Sequence, residues 1–225
     1  NTLAGDDTIS LPAGAYTLTI AGFSENDAAI GDLDVKGNLA ITGAGAAATI
    51  IDGNSSVTGD RVLHLLSGNV AITGVTIRKG NPNADGGGIF NQSASTVTVT
   101  DSIISGNTGT RGGGIFSETT LTLTNSTVSG NTTTGSGGGI YNGGGTLTLV
   151  GSAISGNNAA GSGGGIQKSA FSIMLTLINS TLSGNRADDS GGGIFSAGGS
   201  IDLYSVTIAN NTADNDGDGG GDGGG

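Results

Sequence analysis

Residues 112–131 read GGGIFSETTLTLTNSTVSGN, and variants of this unit recur along most of the chain. The opening Gly-Gly-Gly-Ile occurs five times, and successive copies begin 26, 25, 26 and 28 residues apart. The copies are Gly86–Ile89, Gly112–Ile115, Gly137–Ile140, Gly163–Ile166 and Gly191–Ile194. A repeat of this length indicates a solenoid whose coils stack on one another.

An asparagine at the end of each unit gives a second anchor with the same period. It usually follows Ser-Gly, and the six positions are Asn81, Asn107, Asn131, Asn157, Asn185 and Asn211. Asparagine tolerates left-handed backbone angles at a bend, and its amide can hydrogen-bond to an equivalent amide in the next coil. We therefore predict a structural asparagine ladder at these positions.

Between the anchors, each unit contains three apolar positions or segments. In the quoted unit they are Leu121-Thr122-Leu123-Thr124, Val128 and Ile115. Alternation of apolar and polar residues predicts short strands with one buried face. Three such strands, with Gly, Asn or Asp at the bends, fit a chain that returns over itself once per repeat. The pattern predicts an all-β parallel β-helix of roughly eight coils, with about 26 residues in each coil.

We expect residues 1–225 to form one domain. Residues 1–56 read as irregular N-terminal coils with a departing loop at 22–34, and residues 57–211 as regular repeats. Residues 212–225 form an acidic, glycine-rich tail.

The repeat at 112–131 resembles that of bacterial surface proteins of the CSLREA type, which have a right-handed parallel β-helix. It is more loosely similar to the polymorphic outer-membrane proteins and the pectate-lyase-like superfamily. The segments 5–18 and 39–53 also resemble the start of the helical region in the CSLREA group. The resemblance implies a secreted or cell-surface location. The CSLREA segment itself is absent and the chain begins with Asn1, so we expect a processed form or a fragment.

Composition excludes several classes of protein. Glycine accounts for 47 of 225 residues without a three-residue period and with only 2 Pro, which excludes collagen. There is no Cys for a disulfide scaffold, and no apolar run approaches the length of a membrane span. With 7 basic and 18 acidic residues, the net charge of −11 argues against a nucleic-acid partner.

Acidic residues provide the candidates for catalysis. One pair, Asp32 and Asp34, lies in the departing loop. The best candidate active site of a polysaccharide lyase or hydrolase is an acidic bend in which we expect Asp85, Asp188, Asp189 and Asp214 to share a column, with Arg111 and Arg186 nearby. The structural alternative, which we favour, is that these residues lie on a solvent-exposed turn and have no catalytic role.

The tail carries the candidate metal site. Its sequence from Asp214 to Gly219 matches the opening of a calcium-binding loop, without the closing Glu of an EF-hand. The predicted Ca²⁺ ligands are Asp214, Asp216, Asp218 and Asp222. The alternative is an acidic bend that leads into another coil.

The residues that follow each Gly-Gly-Gly-Ile are mostly aromatic. They are Phe90, Phe116, Tyr141, Gln167 and Phe195. We expect them to stack between coils, although side chains pointing outward would offer a carbohydrate-binding strip. We interpret the single histidine, His64, as a structural strand residue.

These observations favour a non-enzymatic extracellular structural or adhesive protein. The exposed strand edges at the two ends of a β-helix predict assembly head to tail or by strand donation into a surface filament. The alternative is a carbohydrate-active or carbohydrate-binding protein that uses the acidic turn face.

Overall fold

Stacked parallel strands form the molecule, whose computed structural model describes residues 7–22, 29–92, 95–169, 174–214, 216–217 and 222–224. All strand pairs among these residues are parallel. Each coil contributes one strand to each of three faces. The predicted all-β solenoid is therefore confirmed, with about seven turns of about 26 residues.

The first face is formed by the alternating segments of the repeat. Its eight strands are β1 (Asp7–Leu11), β4 (Leu39–Gly43), the C-terminal part of β6 (Leu63–Thr73), β9 (Ser95–Thr100), β13 (Leu121–Thr124), β17 (Thr146–Val150), β21 (Met174–Ile178) and β25 (Ser200–Tyr204).

The second face follows the first around each coil. Its eight strands are β2 (Gly14–Thr17), β5 (Thr49–Asp52), β7 (Thr76–Arg78), β10 (Ile103–Ser105), β14 (Thr127–Ser129), β18 (Ala153–Ser155), β22 (Thr181–Ser183) and β26 (Thr207–Ala209).

The third face begins directly after the glycine triplets and joins the first face through β6. Its strands are β3 (Leu33–Lys36), the N-terminal part of β6, β8 (Ile89–Asn91), β12 (Ile115–Ser117), β16 (Ile140–Asn142), β20 (Ile166–Lys168) and β24 (Ile194–Ser196). A smaller sheet precedes the glycine bend and contains β11 (Thr108–Gly109), β15 (Thr132–Thr133), β19 (Asn158–Ala159) and β23 (Arg186–Ala187). The single helix of the described residues, α1 (Ser55–Thr58), has four residues.

The predicted apolar columns meet in one continuous core between the three faces. In the coil that starts at Gly112, the side chains of Ile115, Leu121, Leu123 and Val128 are fully buried. The strands are too short to close a compact core within one coil, so each coil buries its apolar face against its neighbours.

The glycine triplets are required by geometry at each of their three positions. Gly112 has a φ of +62°, which L-residues rarely adopt. A Cβ on Gly113 would lie 2.3 Å from the Thr132 carbonyl oxygen, and one on Gly114 would lie 2.7 Å from that of Gly139. The backbones of successive coils therefore approach too closely at this bend for any side chain.

Candidate functional sites

Five of the six predicted asparagines form a continuous buried column. The Nδ2 atoms of Asn107, Asn131, Asn157 and Asn185 donate to the Oδ1 atom of the next asparagine over 2.9 to 3.0 Å, and Asn211 ends the column. Each Oδ1 also accepts a backbone N–H, as Asn131 Oδ1 does from Asn107 N at 3.0 Å. The column satisfies buried backbone groups at the bend and leaves no amide facing solvent.

Asn81 does not belong to this column. The ladder position in its coil is occupied by Gly80, whose N–H donates to Asn107 Oδ1 at 3.0 Å. Asn81 lies one residue further along and is exposed. A Cβ at position 80 would lie 1.8 Å from the Gly87 carbonyl oxygen, so this coil cannot hold an asparagine there.

A second polar column, of serines, was missed by the sequence analysis. The backbone N–H groups of Ser102, Ser126 and Ser152 each donate to the Oγ of the serine in the next coil over 3.1 to 3.2 Å, ending at Ser180. A residue with positive φ, such as Asn125 at +48°, precedes each serine. The recurring Asn, Asp or Gly followed by Ser was visible in the sequence and marks this bend.

The structure does not bring the predicted acidic residues together into one site. Asp85 pairs with Arg111, at 2.6 Å from Nη2, and this contact raises the pKa of the guanidinium. Counted back from the glycine bend, Asp85 aligns with Arg111, Ser136, Ser162 and Ser190 of the following coils. Four coil spacings therefore separate its column position from the coil of Asp188 and Asp189, about 19 Å at about 4.8 Å per coil.

Asp214 does lie next to Asp189, because its N–H donates to the Asp189 carbonyl at 3.0 Å. Counted from the small sheet, Asp85 follows Ala84 as Asp188 follows Ala187, so these two aspartates occupy equivalent positions in coils four spacings apart. The predicted column therefore exists for Asp85 and Asp188, but the distance along the stack keeps the Asp85 carboxylate out of any site formed by Asp188 and Asp189.

Three of the predicted aromatic residues, Phe90, Phe116 and Tyr141, stack along the third face, with His64 as an unforeseen member, whereas Phe195 lies beside Gln167. The ring centroids of His64 and Phe90 are 4.9 Å apart, those of Phe90 and Phe116 are 5.3 Å apart, and those of Phe116 and Tyr141 are 5.0 Å apart. The Arg111 guanidinium lies 4.8 Å from the Phe116 ring centroid. Phe116 is buried, so this part of the column does not offer the open ring faces that bind a sugar.

Lys168 continues the third face as a fully buried lysine. Its Nζ donates to the Gly198 carbonyl oxygen, and burial lowers the pKa of the ammonium group. The sequence analysis did not single it out, because no pattern distinguishes it from a surface lysine.

The predicted calcium ligands of the tail are only partly described. Asp222 continues the glycine bend: its carbonyl accepts the Gly191 N–H at 2.7 Å, and Gly223 has a φ of +74°, close to the +69° of Gly191. Asp214, Asp216 and Asp222 do not form a cluster of potential ligands in the described part of the chain, and Asp218 lies outside it. The calcium site therefore stays a prediction.

One cluster of potential metal ligands is found among the described residues, and it lies in the N-terminal coils. A carboxylate oxygen of Asp32, one of Asp34 and a ring nitrogen of His64 all lie within 4.8 Å of one another. Burial and the nearby charge of Arg61 lower the pKa of His64 to about 4, so its imidazole is neutral at pH 7. The sequence analysis had assigned Asp32 and Asp34 to a loop and His64 to a strand, without placing them together.

The last described coil exposes side chains that are buried elsewhere. Ile201 is 38% exposed and Leu203 is 45% exposed, although their partners in the preceding coil, Leu175 and Leu177, are fully buried. At the opposite end, Ile9 on β1 is 45% exposed. Both ends of the stack thus present apolar positions of the core columns.

Comparison with known proteins identifies the repeat. A family model described as right-handed β-helix region matches residues 61–223. No curated protein and no solved structure gives a significant match. Within the described residues, no helix is long and apolar enough to span a membrane.

Proposed function

Because the chain belongs to the family of right-handed β-helix proteins, we propose that it is a non-enzymatic, extracellular structural or adhesive rod that associates head to tail through the ends of its stack. The observation that carries this proposal is the exposed apolar surface of the last described coil. Ile201 and Leu203 continue columns that are fully buried in the coil before them. A further strand placed on β25 would bury both side chains and pair the edge of β25 that no described strand covers.

The register of the first face indicates which partner fits. Following the pairs from β25 to β1, Leu203 shares its column with Leu177 at one end and with Ile41 and Ile9 at the other. A second copy stacked in the same register would place its Ile9 against Leu203. Both terminal strands of this face have five residues, so their edges match in length. A head-to-tail contact of this kind does not close on itself and extends into a filament.

Two observations support a non-enzymatic role. The carboxylate of Asp85 is engaged by Arg111, and it is separated along the stack from Asp188 and Asp189. The extracellular location rests on the resemblance of the repeat to surface β-helix proteins. In a screen of acidic polysaccharides for unsaturated products and reducing ends, we expect no cleavage. Cleavage that disappears in Asp188→Ala would overturn this part of the proposal in favour of the carbohydrate-active alternative.

The assembly is tested by placing a charge in the exposed end. Leu203→Lys should abolish self-association, because the contact would bury an unpaired ammonium group. Val57→Lys is the matched control, since Val57 is 47% exposed but lies on α1, outside the strands β1 and β25 that make the proposed contact. Light scattering over a range of concentrations, with electron microscopy of the largest species, should show filaments for the wild type and for Val57→Lys only. A wild type that stays monomeric, or filaments that persist in Leu203→Lys, would contradict the proposal.

A further inference from the structure

The N-terminal coils bring three potential metal ligands to one point of the third face. β3 and β6 are parallel neighbours, and their register pairs Asp34 with His64. Asp32 precedes Asp34 by two residues, and residues two apart in an extended chain project to the same side. The strand geometry therefore explains why two carboxylates and an imidazole converge although thirty residues separate Asp34 from His64.

The three side chains are withdrawn from solvent. Asp32 is 4% exposed, Asp34 is 9% exposed and His64 is 5% exposed. His64 Nδ1 lies 3.1 Å from Asp34 Oδ1, but neither ring nitrogen of His64 makes a hydrogen bond of acceptable geometry. Stacking on Phe90 involves the face of the His64 ring and provides no hydrogen-bond partner for its two nitrogen atoms. A buried polar side chain in this condition normally has a partner.

An arginine lies beside the cluster. The Arg61 guanidinium approaches Asp32 Oδ2 at 3.7 Å while lying 5.1 Å from the Phe90 ring centroid. It therefore meets Asp32 from the aromatic side, at a distance longer than a strong charge-assisted hydrogen bond. The Gln92 side chain approaches His64 and partly opposes the fall in its pKa, without reaching hydrogen-bond geometry.

We propose that Asp32, Asp34 and His64 bind one divalent transition-metal ion of the Zn²⁺ class and thereby hold residues 32–34 against β6. One neutral imidazole with two carboxylates is a ligand set suited to Zn²⁺ and related ions, whereas Ca²⁺ takes oxygen ligands only. Three protein ligands form the site, and a water molecule can complete a tetrahedral sphere. The ion would join β3 to β6 across two adjacent coils.

A surface groove lies beside the site. It is lined by residues 17–20 and 29–33 and includes Asp32 in its wall. This site lies apart from Leu203, on which the proposed assembly depends, so either proposal can fail without the other.

The test uses the full chain, dialysed against a chelator and titrated with Zn²⁺ by calorimetry. We expect one ion per chain and affinity at least ~10-fold weaker in Asp34→Asn and in His64→Phe. Phenylalanine retains a ring for stacking on Phe90, so this variant removes the ligand with little change in packing. Asp188→Asn and the double variant Asp214→Asn/Asp216→Asn are the controls and should bind Zn²⁺ like the wild type.

X-ray absorption of the Zn²⁺-loaded wild type supplies a measurement that needs no variant. It should show nitrogen and oxygen ligands at about 2.0–2.2 Å, with the multiple scattering of one imidazole. Absence of Zn²⁺ binding, a spectrum without imidazole, or unchanged affinity in His64→Phe would overturn the proposal. Loss of Zn²⁺ binding in Asp214→Asn/Asp216→Asn, with binding retained in the other variants, would also overturn it.

Discussion

The regular coils of residues 86–196 and the N-terminal coils of residues 7–79 bury different kinds of polar group. In the regular coils, the buried polar side chains are mainly neutral amides and hydroxyls that repeat in every coil, with Lys168 as the buried charge. Among the described residues of the N-terminal coils, ionisable groups are buried at five positions, namely Asp32, Asp34, Asp52, Asp60 and His64.

The difference follows from stacking. A residue type that recurs in every coil meets its own copies about 4.8 Å away, and a charge in that position would repel them. Asparagine and serine can instead donate to one neighbour and accept from the other. A charge can be buried where its column holds different residue types, as Lys168 is between Asn142 and Ser196, because there it meets no copy of itself. Chemistry specific to this molecule is therefore expected in the N-terminal coils, where the repeat is irregular.

The largest effect should come from the glycine bend of the regular coils. In Gly113→Ala the new Cβ would meet backbone oxygen atoms of two neighbouring segments, so we expect a loss of about 4 kcal/mol or more in the free energy of unfolding. Gly130→Ala is the control, because Gly130 has a φ of +61° but no atom lies within 4 Å of the position that an alanine Cβ would take. It should lose only about 1 kcal/mol. Urea denaturation followed by circular dichroism measures both, and equal losses would refute the account of the bend.

The next effect concerns the asparagine column. Asn131→Ala removes the acceptor of the Asn107 N–H and the donor to the Ile104 carbonyl, both buried. We expect a loss of about 3 kcal/mol, since buried groups are left without partners. The neighbouring exposed residue gives the control, and Thr132→Ala should change stability by less than about 0.5 kcal/mol. An unchanged free energy of unfolding in Asn131→Ala would show that the asparagine column does not hold the coils together.

A smaller, pH-dependent effect is expected in the N-terminal coils. Asp52 Oδ2 lies 2.8 Å from Arg78 Nε and 3.0 Å from Lys79 Nζ. Burial alone would raise the pKa of Asp52, but its contacts with Lys79, Arg78 and the Asn54 N–H outweigh burial and hold the pKa below the usual 3.8. Asp52→Asn should cost about 1 kcal/mol at pH 7, a modest value because Arg78 and Lys79 are partly exposed.

The sign of this effect is fixed by the direction of the pKa shift. The stabilisation by Asp52 is complete above the unfolded-state pKa and is lost as the pH falls through the lower folded-state pKa. The stability difference between wild type and Asp52→Asn should therefore shrink below about pH 3.8. Unfolding measured between pH 7 and pH 3 checks this, with the exposed Asp101→Asn as the control. A difference that grows in acid would contradict the assignment.

The sequence predicts most of the regular coils because each structural position recurs in several repeats. The three apolar columns, the bend role of the glycine triplets and four links of the asparagine ladder could all be recognised from their common period. Asn81 was misplaced because the exclusion of a side chain at Gly80 depends on the Gly87 carbonyl, which no periodicity reveals. The cluster at His64 was missed for a related reason, since its register with Asp34 occurs only once.

The central claim, head-to-tail association, is tested most directly by mixing two variants that each carry a charge at one end. Ile9→Lys blocks one end of the stack and Leu203→Lys blocks the other. In sedimentation velocity, each variant alone should be monomeric, because every contact would include a blocked end. An equimolar mixture should form dimers and nothing larger, since one unblocked pair of ends remains. Dimers of either variant alone, or a mixture that stays monomeric while the wild type polymerises, would contradict the account.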